Sequence, residues 1–351
     1  MKKIKVAVLG ATGAVGQRFV QLLDRHPWFE VSALTGSDRS VGKTYREACR
    51  WVLPEPMPET VREQRILPTQ PGLDAPLVFS ALPSDSALDA EPAFARAGHA
   101  VCSNASSHRM ADDVPLLIPE VNPDHTALIA LQRQRRGWSG FIATNPNCTS
   151  TGLTIAFRPL QDAFGLQRAL AFSMQALSGA GYPGVASLDI VDNVIPYIKG
   201  EEDKVEEEPR KMLGQFAPDS GRLTPAPLRL SAHTNRVTVV EGHTVCVSLE
   251  FDRPVAPGEA AQAMRAFQAP AIVQSLPSAP QCVIDVRPEP DRPQPRKDRD
   301  AGRGMTTVVG RVREDPLLHV KFVVLSHNTI RGAAGGSLLN AELLVAQGIV
   351  G

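Results

Sequence analysis

Residues Ile4-Lys5-Val6-Ala7-Val8-Leu9 form a short apolar run that meets three glycines at fixed spacing, Gly10-Ala11-Thr12-Gly13-Ala14-Val15-Gly16, before an amphipathic stretch from Gln17 to Asp24. A strand, a glycine turn and a helix in this order constrain the fold more than any other feature of the chain. Gly10 and Gly13 leave the backbone bare where it must approach an anion. Gly16 allows a helix to sit close on a strand, and the helix N-terminus presents unpaired N–H groups to phosphate. The spacing is G-x-x-G-x-x-G, not G-x-G-x-x-G, so the strand before it and the helix after it carry as much of the inference as the glycines. The pattern predicts a doubly wound α/β domain, with Gly10, Thr12, Gly13, Ala14, Val15 and Gly16 against the pyrophosphate of a dinucleotide.

The next apolar run, Glu30 to Leu34, leads into Thr35-Gly36-Ser37-Asp38-Arg39-Ser40-Val41-Gly42-Lys43. An NAD-binding domain usually places Asp or Glu at the end of this strand, on the ribose 2′-hydroxyl. Here Ser37 and Ser40 offer hydroxyls, and Arg39 and Lys43 offer positive charge. That set suits a 2′-phosphate, so NADP is the expected cofactor. Asp38 is an acid one residue late, and solvated loop charges are the plainer alternative for Arg39 and Lys43. Pro76 to Pro83 and Ala100 to Ala105 read as further parallel strands, the first bringing Ser80 and Leu82 to the cofactor edge.

With 351 residues, 43% hydrophobic and 21% charged, the chain has room for two domains of ordinary soluble composition. A formal net charge of zero, with no basic stripe, argues against nucleic acid and against an anionic membrane surface. No run reaches the roughly 18 apolar residues that a spanning helix needs, and Met1-Lys2-Lys3-Ile4 reads as the start of a strand, not as a signal peptide. The 5 cysteines are scattered, with no Cys-x-x-Cys and no zinc-type spacing. A cytoplasmic setting and no metal are expected.

After residue 149 the pattern changes. Ala169–Leu177, Arg236–Phe251, Cys282–Val286, Thr306–Val312 and His319–Leu325 read as strands. Leu188–Ile195, Asp203–Met212 and Gly258–Phe267 read as helices. This predicts an α+β domain with a mixed or antiparallel sheet and helices on one face. Residues 1–149 would be the dinucleotide-binding domain, completed by the C-terminal segment 329–351, and residues 150–328 the catalytic and oligomerisation domain. Arg287 to Gly304 reads as a solvent loop.

The chemistry converges on Asn145-Pro146-Asn147-Cys148-Thr149-Ser150. Gly140 to Thr144 reads as the end of a buried strand, and Thr149 onward as a helix. A thiol in the first turn of a helix faces N–H groups and the positive end of the dipole, which lower its pKa and can hold an oxyanion. A buried cysteine packing as a small hydrophobe is the alternative. A cysteine nucleophile needs an acid/base partner. His243 is the best-framed candidate, with His327 and His125 competing. Arg236 lies seven residues earlier; on one extended strand the two face opposite ways unless Gly242 breaks the alternation. Glu201 and Lys204 share a face if the charged run after Gly200 is already helical; otherwise that run is a solvated acidic helix start.

These motifs occur in order with Pro119-Glu120-Val121-Asn122, Gln175-Ala176-Leu177-Ser178-Gly179-Ala180-Gly181 and Arg236…Gly242-His243-Thr244. Together they make the chain resemble the aspartate-semialdehyde dehydrogenase family, in its archaeal and fungal branch. The resemblance implies a Rossmann-like domain joined to an α+β catalytic domain. It also implies an oxidoreductase of lysine, threonine and methionine biosynthesis, acting as a homodimer or homotetramer. The reaction would be NADP-dependent, reversible reduction of L-4-aspartyl phosphate to L-aspartate 4-semialdehyde and phosphate. Cys148 would be the nucleophile, forming a thioacyl intermediate, and His243 the acid/base. Arg236 would hold the substrate carboxylate, Glu201 its amino group, and Lys204 and Arg109 the phosphate. Asn147 and Gln175 would orient the acyl group; Ser178, Gly179 and Gly335 would meet the cofactor. Two positions depart from the family pattern: Thr234 replaces a cysteine and Thr238 a proline. Because both lie on the segment that shapes the substrate pocket, an acyl-CoA reductase such as malonyl-CoA reductase, an N-acetylglutamyl phosphate reductase and a non-catalytic NADP-sensing protein stay open as alternatives.

Overall fold

β1 (Ile4–Leu9) is apolar on both sides, and the structure shows why. Val6 and Val8 enter one buried cluster, Ala7 and Leu9 another, so the strand is covered on both faces. The computed structural model describes residues 2–217 and 219–351. β1 lies inside a sheet with β2 (Phe29–Gly36), β3 (Ile66–Pro68), β4 (Leu77–Ser80), β5 (Ala100–Ser103) and β6 (Phe141–Thr144). Every pairing is parallel and the order is β3-β2-β1-β4-β5-β6, a Rossmann-type doubly wound sheet. Among the longer helices, α1 (Ala14–Leu23) covers one face through Phe19 and Val20, while α2 (Ser84–Arg96) covers the other through Phe94 and Ala95. α3 (Leu128–Arg136) packs against β6.

The chain then enters α4 (Cys148–Phe164) and builds a second sheet from β7 (Leu166–Gln175), β10 (Arg229–Arg236), β11 (His243–Phe251), β12 (Ile284–Arg287), β13 (Thr307–Glu314) and β14 (Val320–Ser326). A separate antiparallel pair, β8 (Gln215–Ala217) and β9 (Arg222–Thr224), precedes β10. The main sheet runs β10-β7-β11-β14-β13-β12 and is mixed. β10 and β7 are parallel, as are β12 and β13; the other neighbours are antiparallel. α4, α5 (Glu201–Met212) and α6 (Pro257–Ala266) pack on one face over the largest core cluster. The other face is open, where β7 leaves Leu170, Phe172 and Met174 38%, 45% and 37% exposed. The last helix, α7 (Gly335–Ala346), returns to the first sheet, burying Leu338, Ala341 and Leu344 against it.

Three local expectations need correction. Arg236 to Phe251 is not one strand: β10 ends at Arg236 and β11 starts at His243, with β7 between them. Gly242 makes the turn with φ +100°, a backbone conformation that only glycine adopts freely. The helix expected over Leu188–Ile195 is confined to Ser187–Ile190, because Ile195 pairs its backbone with Arg236 in both directions. Arg287 to Gly304 is not a free solvent loop. Asp298 is buried against Arg292, and Arg299 donates to Glu241 O at 3.3 Å, so this segment packs beneath the Gly242 turn.

Candidate active site

β6 delivers the chain to Asn147, whose side-chain Oδ1 caps α4 by accepting from the N–H groups of Thr149 and Ser150 at 2.8 and 3.1 Å. Cys148 follows as the first residue of the helix. Gly332 lies against it so closely that an added Cβ would stand 2.5 Å from Cys148 Cβ. The cap changes the electrostatics expected from sequence, because two of the first-turn donors are spent on Asn147. The Cys148 N–H has no acceptor among the described residues and remains the one placed to meet an oxyanion. Burial pushes the thiol up to about 12, and the Glu201 carboxylate adds to the push, against the opposing charges of Arg109 and Arg236. The expected lowering of the thiol pKa is therefore reversed in the ligand-free site. Cys148 is half-buried and opens on the cleft.

His243 Nε2 stands 3.2 Å from Cys148 Sγ. On the other side of the ring, Nδ1 accepts the backbone N–H of Ala176 at 3.0 Å. A neutral ring that accepts at Nδ1 carries its proton on Nε2, which then faces the sulfur. Burial holds the imidazole down to about 3, with the positive charge of Arg236 acting the same way. The resting pair is thus neutral thiol beside neutral imidazole. Neither competing histidine reaches the sulfur. His327 is turned to Glu241 at 3.4 Å, and His125 is held between Asn122 and Gly214 O.

A cleft of about 520 Å³ opens over the thiol, lined by Cys148, Gln175, Glu201, Lys204, Arg236 and Arg109 together with Asn147. Arg236 pairs with Gln175 across β10 and β7 and donates Nη1 to Ala176 O at 2.8 Å. His243 begins β11 on the other side of β7, so the two residues flank the end of one strand. The bareness of Gly179 completes this wall, since a Cβ there would lie 2.7 Å from Arg236 Nη1. Glu201 accepts from Asn147 Nδ2 at 2.7 Å and from Gln175 Nε2 at 3.2 Å, and sits 3.5 Å from Lys204 Nζ. The helix has begun by Glu201, so the shared face expected for Glu201 and Lys204 exists. Asn147, expected to orient an acyl group, has both ends of its amide engaged by the cap and by Glu201.

Four contributors were missed in the sequence. Asn104 lines the cleft with both amide atoms buried and unpartnered among the described residues; its motif Ser103-Asn104-Ala105 was visible, its role was not. Asn328 donates to Ser178 Oγ at 2.7 Å and accepts from the Gly242 N–H at 2.8 Å. Its only signal is its place just past β14. Gly332 was one glycine among several, and Glu208 was hidden in an acidic run that reads as solvated.

The glycine turn fits a dinucleotide phosphate. Gly10 has φ +71°, and a Cβ on it would stand 2.8 Å from Ala81 O; a Cβ on Gly16 would stand 2.3 Å from Gly10 O. α1 has no side-chain cap at Gly13 and no acid in its first turn, so its N–H groups stay open to an anion. Thr12, Ala14 and Val15 are half-buried around this turn, Leu82 packs beside Gly10, and Ser80 is buried at the end of β4. Ser37, Asp38, Arg39 and Lys43 are exposed beyond β2, with Ser40 beside Gly36. Gly335 stands apart from the other expected cofactor residues: it packs on Met305 and Ile330 and does not line the catalytic cleft.

Comparison with known proteins agrees with this geometry. Residues 5–129 match the family model described as semialdehyde dehydrogenase, NAD binding domain. Residues 157–331 match semialdehyde dehydrogenase, dimerisation domain. Aspartate-semialdehyde dehydrogenase of Archaeoglobus fulgidus is 53% identical over 99% of this chain and 100% of its own length. The chain belongs to the aspartate-semialdehyde dehydrogenase family. The Candida albicans member is 46% identical over 99% of both chains. A crystal structure of aspartate-semialdehyde dehydrogenase with NADP from that organism superposes with a TM-score of 0.91 at 43% identity, covering 99% of this chain and 100% of that one. Aspartate-semialdehyde dehydrogenase II of Vibrio cholerae, solved in complex with ASA, gives a TM-score of 0.75 at 26% identity, covering 98% and 99%. Among the described residues no helix is long and apolar enough to cross a membrane.

Proposed function

We propose that the chain catalyses the reversible NADP-dependent reduction of L-4-aspartyl phosphate to L-aspartate 4-semialdehyde and phosphate, through a thioacyl intermediate on Cys148. The observation that carries this reading is the charge pattern around the thiol. One carboxylate, Glu201, and four cations, Arg236, Lys204, Arg109 and Lys199, line a single cleft. A substrate with one ammonium, one carboxylate and one phosphate matches that set. A malonyl-CoA or N-acetylglutamyl substrate would leave Glu201 without an ammonium. Neither Thr234 nor Thr238 lines the cleft. Thr238 donates its hydroxyl to Ile190 O at 2.8 Å, so these departures from the family pattern bear on the supporting wall and not on the reacting groups.

Arg236 holds the substrate carboxylate and Glu201 the ammonium, which sets the acyl carbon above Cys148. Arg109 and Lys204 hold the phosphate. Sulfur attacks the acyl carbon, the Cys148 N–H meets the developing oxyanion, and the thiol proton leaves with the phosphate as the C–O bond breaks. The α1 turn and Ser37, Arg39, Ser40 and Lys43 would hold NADP, which in its reduced form would supply the hydride. When the carbonyl re-forms and expels the sulfur, the Nε2–H of His243 donates a hydrogen bond to the departing thiolate, which takes up its proton from solvent through the open cleft. The resting geometry thus prepares His243 as a hydrogen-bond donor to the sulfur; both halves of an acid/base role need a proton on Nδ1, where the Ala176 N–H now points, because the acid is the imidazolium and the base is the ring with Nε2 bare.

The open face of β7, with Leu170, Phe172 and Met174, supports a homodimer across the second sheet, or a homotetramer built from such dimers. The unpaired cysteines support a cytoplasmic setting. A substrate panel tests the reading. NADPH should form from aspartate semialdehyde with phosphate, and far more slowly from N-acetylglutamate semialdehyde with phosphate, and malonyl-CoA should not be reduced. Preference for either alternative would overturn the substrate assignment.

A further inference from the structure

Glu208 lies two turns along α5 from Glu201, on the same face of the helix, and is 2% exposed. Its two oxygens serve different partners. Oε1 accepts from Arg109 Nη1 at 2.9 Å, and Oε2 accepts from the backbone N–H of Asn147 at 2.6 Å. Asn147 caps the helix that carries Cys148. Arg109 is further tied by Nη2 to Asn104 O at 2.7 Å, while its Nε is buried with no partner among the described residues, on a side chain that lines the cleft. One turn further on, Lys211 Nζ donates to the carbonyls of Arg109, Ala111 and Val114 at 2.7, 2.7 and 2.8 Å, fixing the backbone on which Arg109 stands.

We infer that Glu208 is a positioning residue that fixes the phosphate-holding guanidinium of Arg109 relative to the capped start of the nucleophile helix. The inference rests on the proposed role of Arg109 as a phosphate ligand. Both partners of Glu208 are donors. A carboxylate can accept on both oxygens, whereas a glutamine presents an acceptor to one and an N–H to the other, so one of the two contacts must break. An Arg109 released from this tie loses the fixed fork on which bidentate recognition of a phosphate depends.

The test is a double-mutant cycle of Glu208→Gln with Arg109→Ala, with KM for phosphate and KM for aspartate semialdehyde measured separately at saturating NADP. Glu208→Gln should raise the phosphate KM by roughly tenfold or more, the scale of one lost charged hydrogen bond. The semialdehyde KM should change much less. In the Arg109→Ala background the effect of Glu208→Gln on the phosphate KM should vanish. Glu208→Asp, which keeps both acceptors but retracts them by one methylene, should raise the phosphate KM to a smaller extent and serves if the glutamine variant fails to fold. Equal losses for both substrates, additivity with Arg109→Ala, or an unchanged phosphate KM in Glu208→Asp would overturn the inference. If Arg109→Ala raises the phosphate KM and Glu208→Gln does not, only the positioning role falls. If Arg109→Ala leaves the phosphate KM unchanged, the phosphate role of Arg109 falls with it.

Discussion

Ala176 donates its backbone N–H to Nδ1 of His243 at 3.0 Å, and this bond decides which ring nitrogen carries the proton that faces Cys148. With Nε2–H toward the sulfur, the imidazole at about 3 and the thiol at about 12, the ligand-free enzyme holds two neutral groups through the whole physiological range. The rate of Cys148 alkylation by iodoacetamide should therefore keep rising beyond pH 9, with no plateau near neutrality, because thiolate is the reactive form. A plateau below pH 8 would mean that a thiolate–imidazolium pair exists at rest.

The same histidine predicts a pH dependence of stability. Its folded value of about 3 lies below the ordinary value of about 6.5, so it takes up its proton on unfolding. Its contribution is fully present above about pH 6.5 and is lost as the pH falls toward 3. Denaturant melts of the parent and of His243→Gln, compared between pH 7 and pH 4.5, should show a shallower loss in the variant. Parallel losses would mean that His243 is not buried neutral.

Gly332→Ala should reduce kcat by about 100-fold or more while leaving cofactor binding intact. The added carbon would stand 2.5 Å from Cys148 Cβ and 2.7 Å from its Cα, and a displacement of the order of an ångström at the nucleophile is enough for such a loss. Turnover within threefold of the parent would show that the loop can retreat.

The first sheet and the glycine turn were legible because their determinants are local: strands buried on both faces are continuously apolar, and Gly10 and Gly16 have no room for a side chain; in the second sheet, open on one face, β10 was not legible. The candidate cleft was legible wherever a residue type names its chemistry, as with Cys148, His243, Arg236 and Glu201. The thiol's electrostatics were not legible, because they depend on where Asn147 Oδ1 points and on how closely Glu201 approaches, and spacing reports neither. Arg236 and His243 looked mismatched in parity because an apolar run across a turn reads like one strand. Glu208 sits in an acidic run whose composition predicts solvent, and only the docking of α5 against α4 reveals that one face of it is buried.

Arg236→Lys should raise the KM for aspartate semialdehyde sharply, by about 2–5 kcal/mol of lost binding if the pair with the substrate carboxylate is buried. A lysine can neither present a bidentate fork to the carboxylate nor also reach Ala176 O. Steady-state kinetics at saturating phosphate give the answer, and an unchanged KM would assign the carboxylate to another cation.

Replacing Arg39 and Lys43 together with alanine should weaken NADP binding and leave NAD binding much less affected. Both side chains are exposed beyond β2, so the difference should shrink as salt is added. Equal loss for the two cofactors in a fluorescence titration would give these residues to the loop's own structure, and a parent preference for NAD would point to Asp38 on the ribose.

A thioacyl enzyme on Cys148 is tested most directly by a stopped-flow experiment with aspartate semialdehyde and NADP in the absence of phosphate. Without phosphate the acyl group has no acceptor but water. NADPH should therefore appear in a rapid burst of one equivalent per active site, followed by a slow phase, and acid-quenched protein should carry an aspartyl adduct on the peptide containing Cys148. Addition of phosphate should release the adduct and restore full turnover. A linear trace with no burst, or an adduct that persists in Cys148→Ser, would contradict the account.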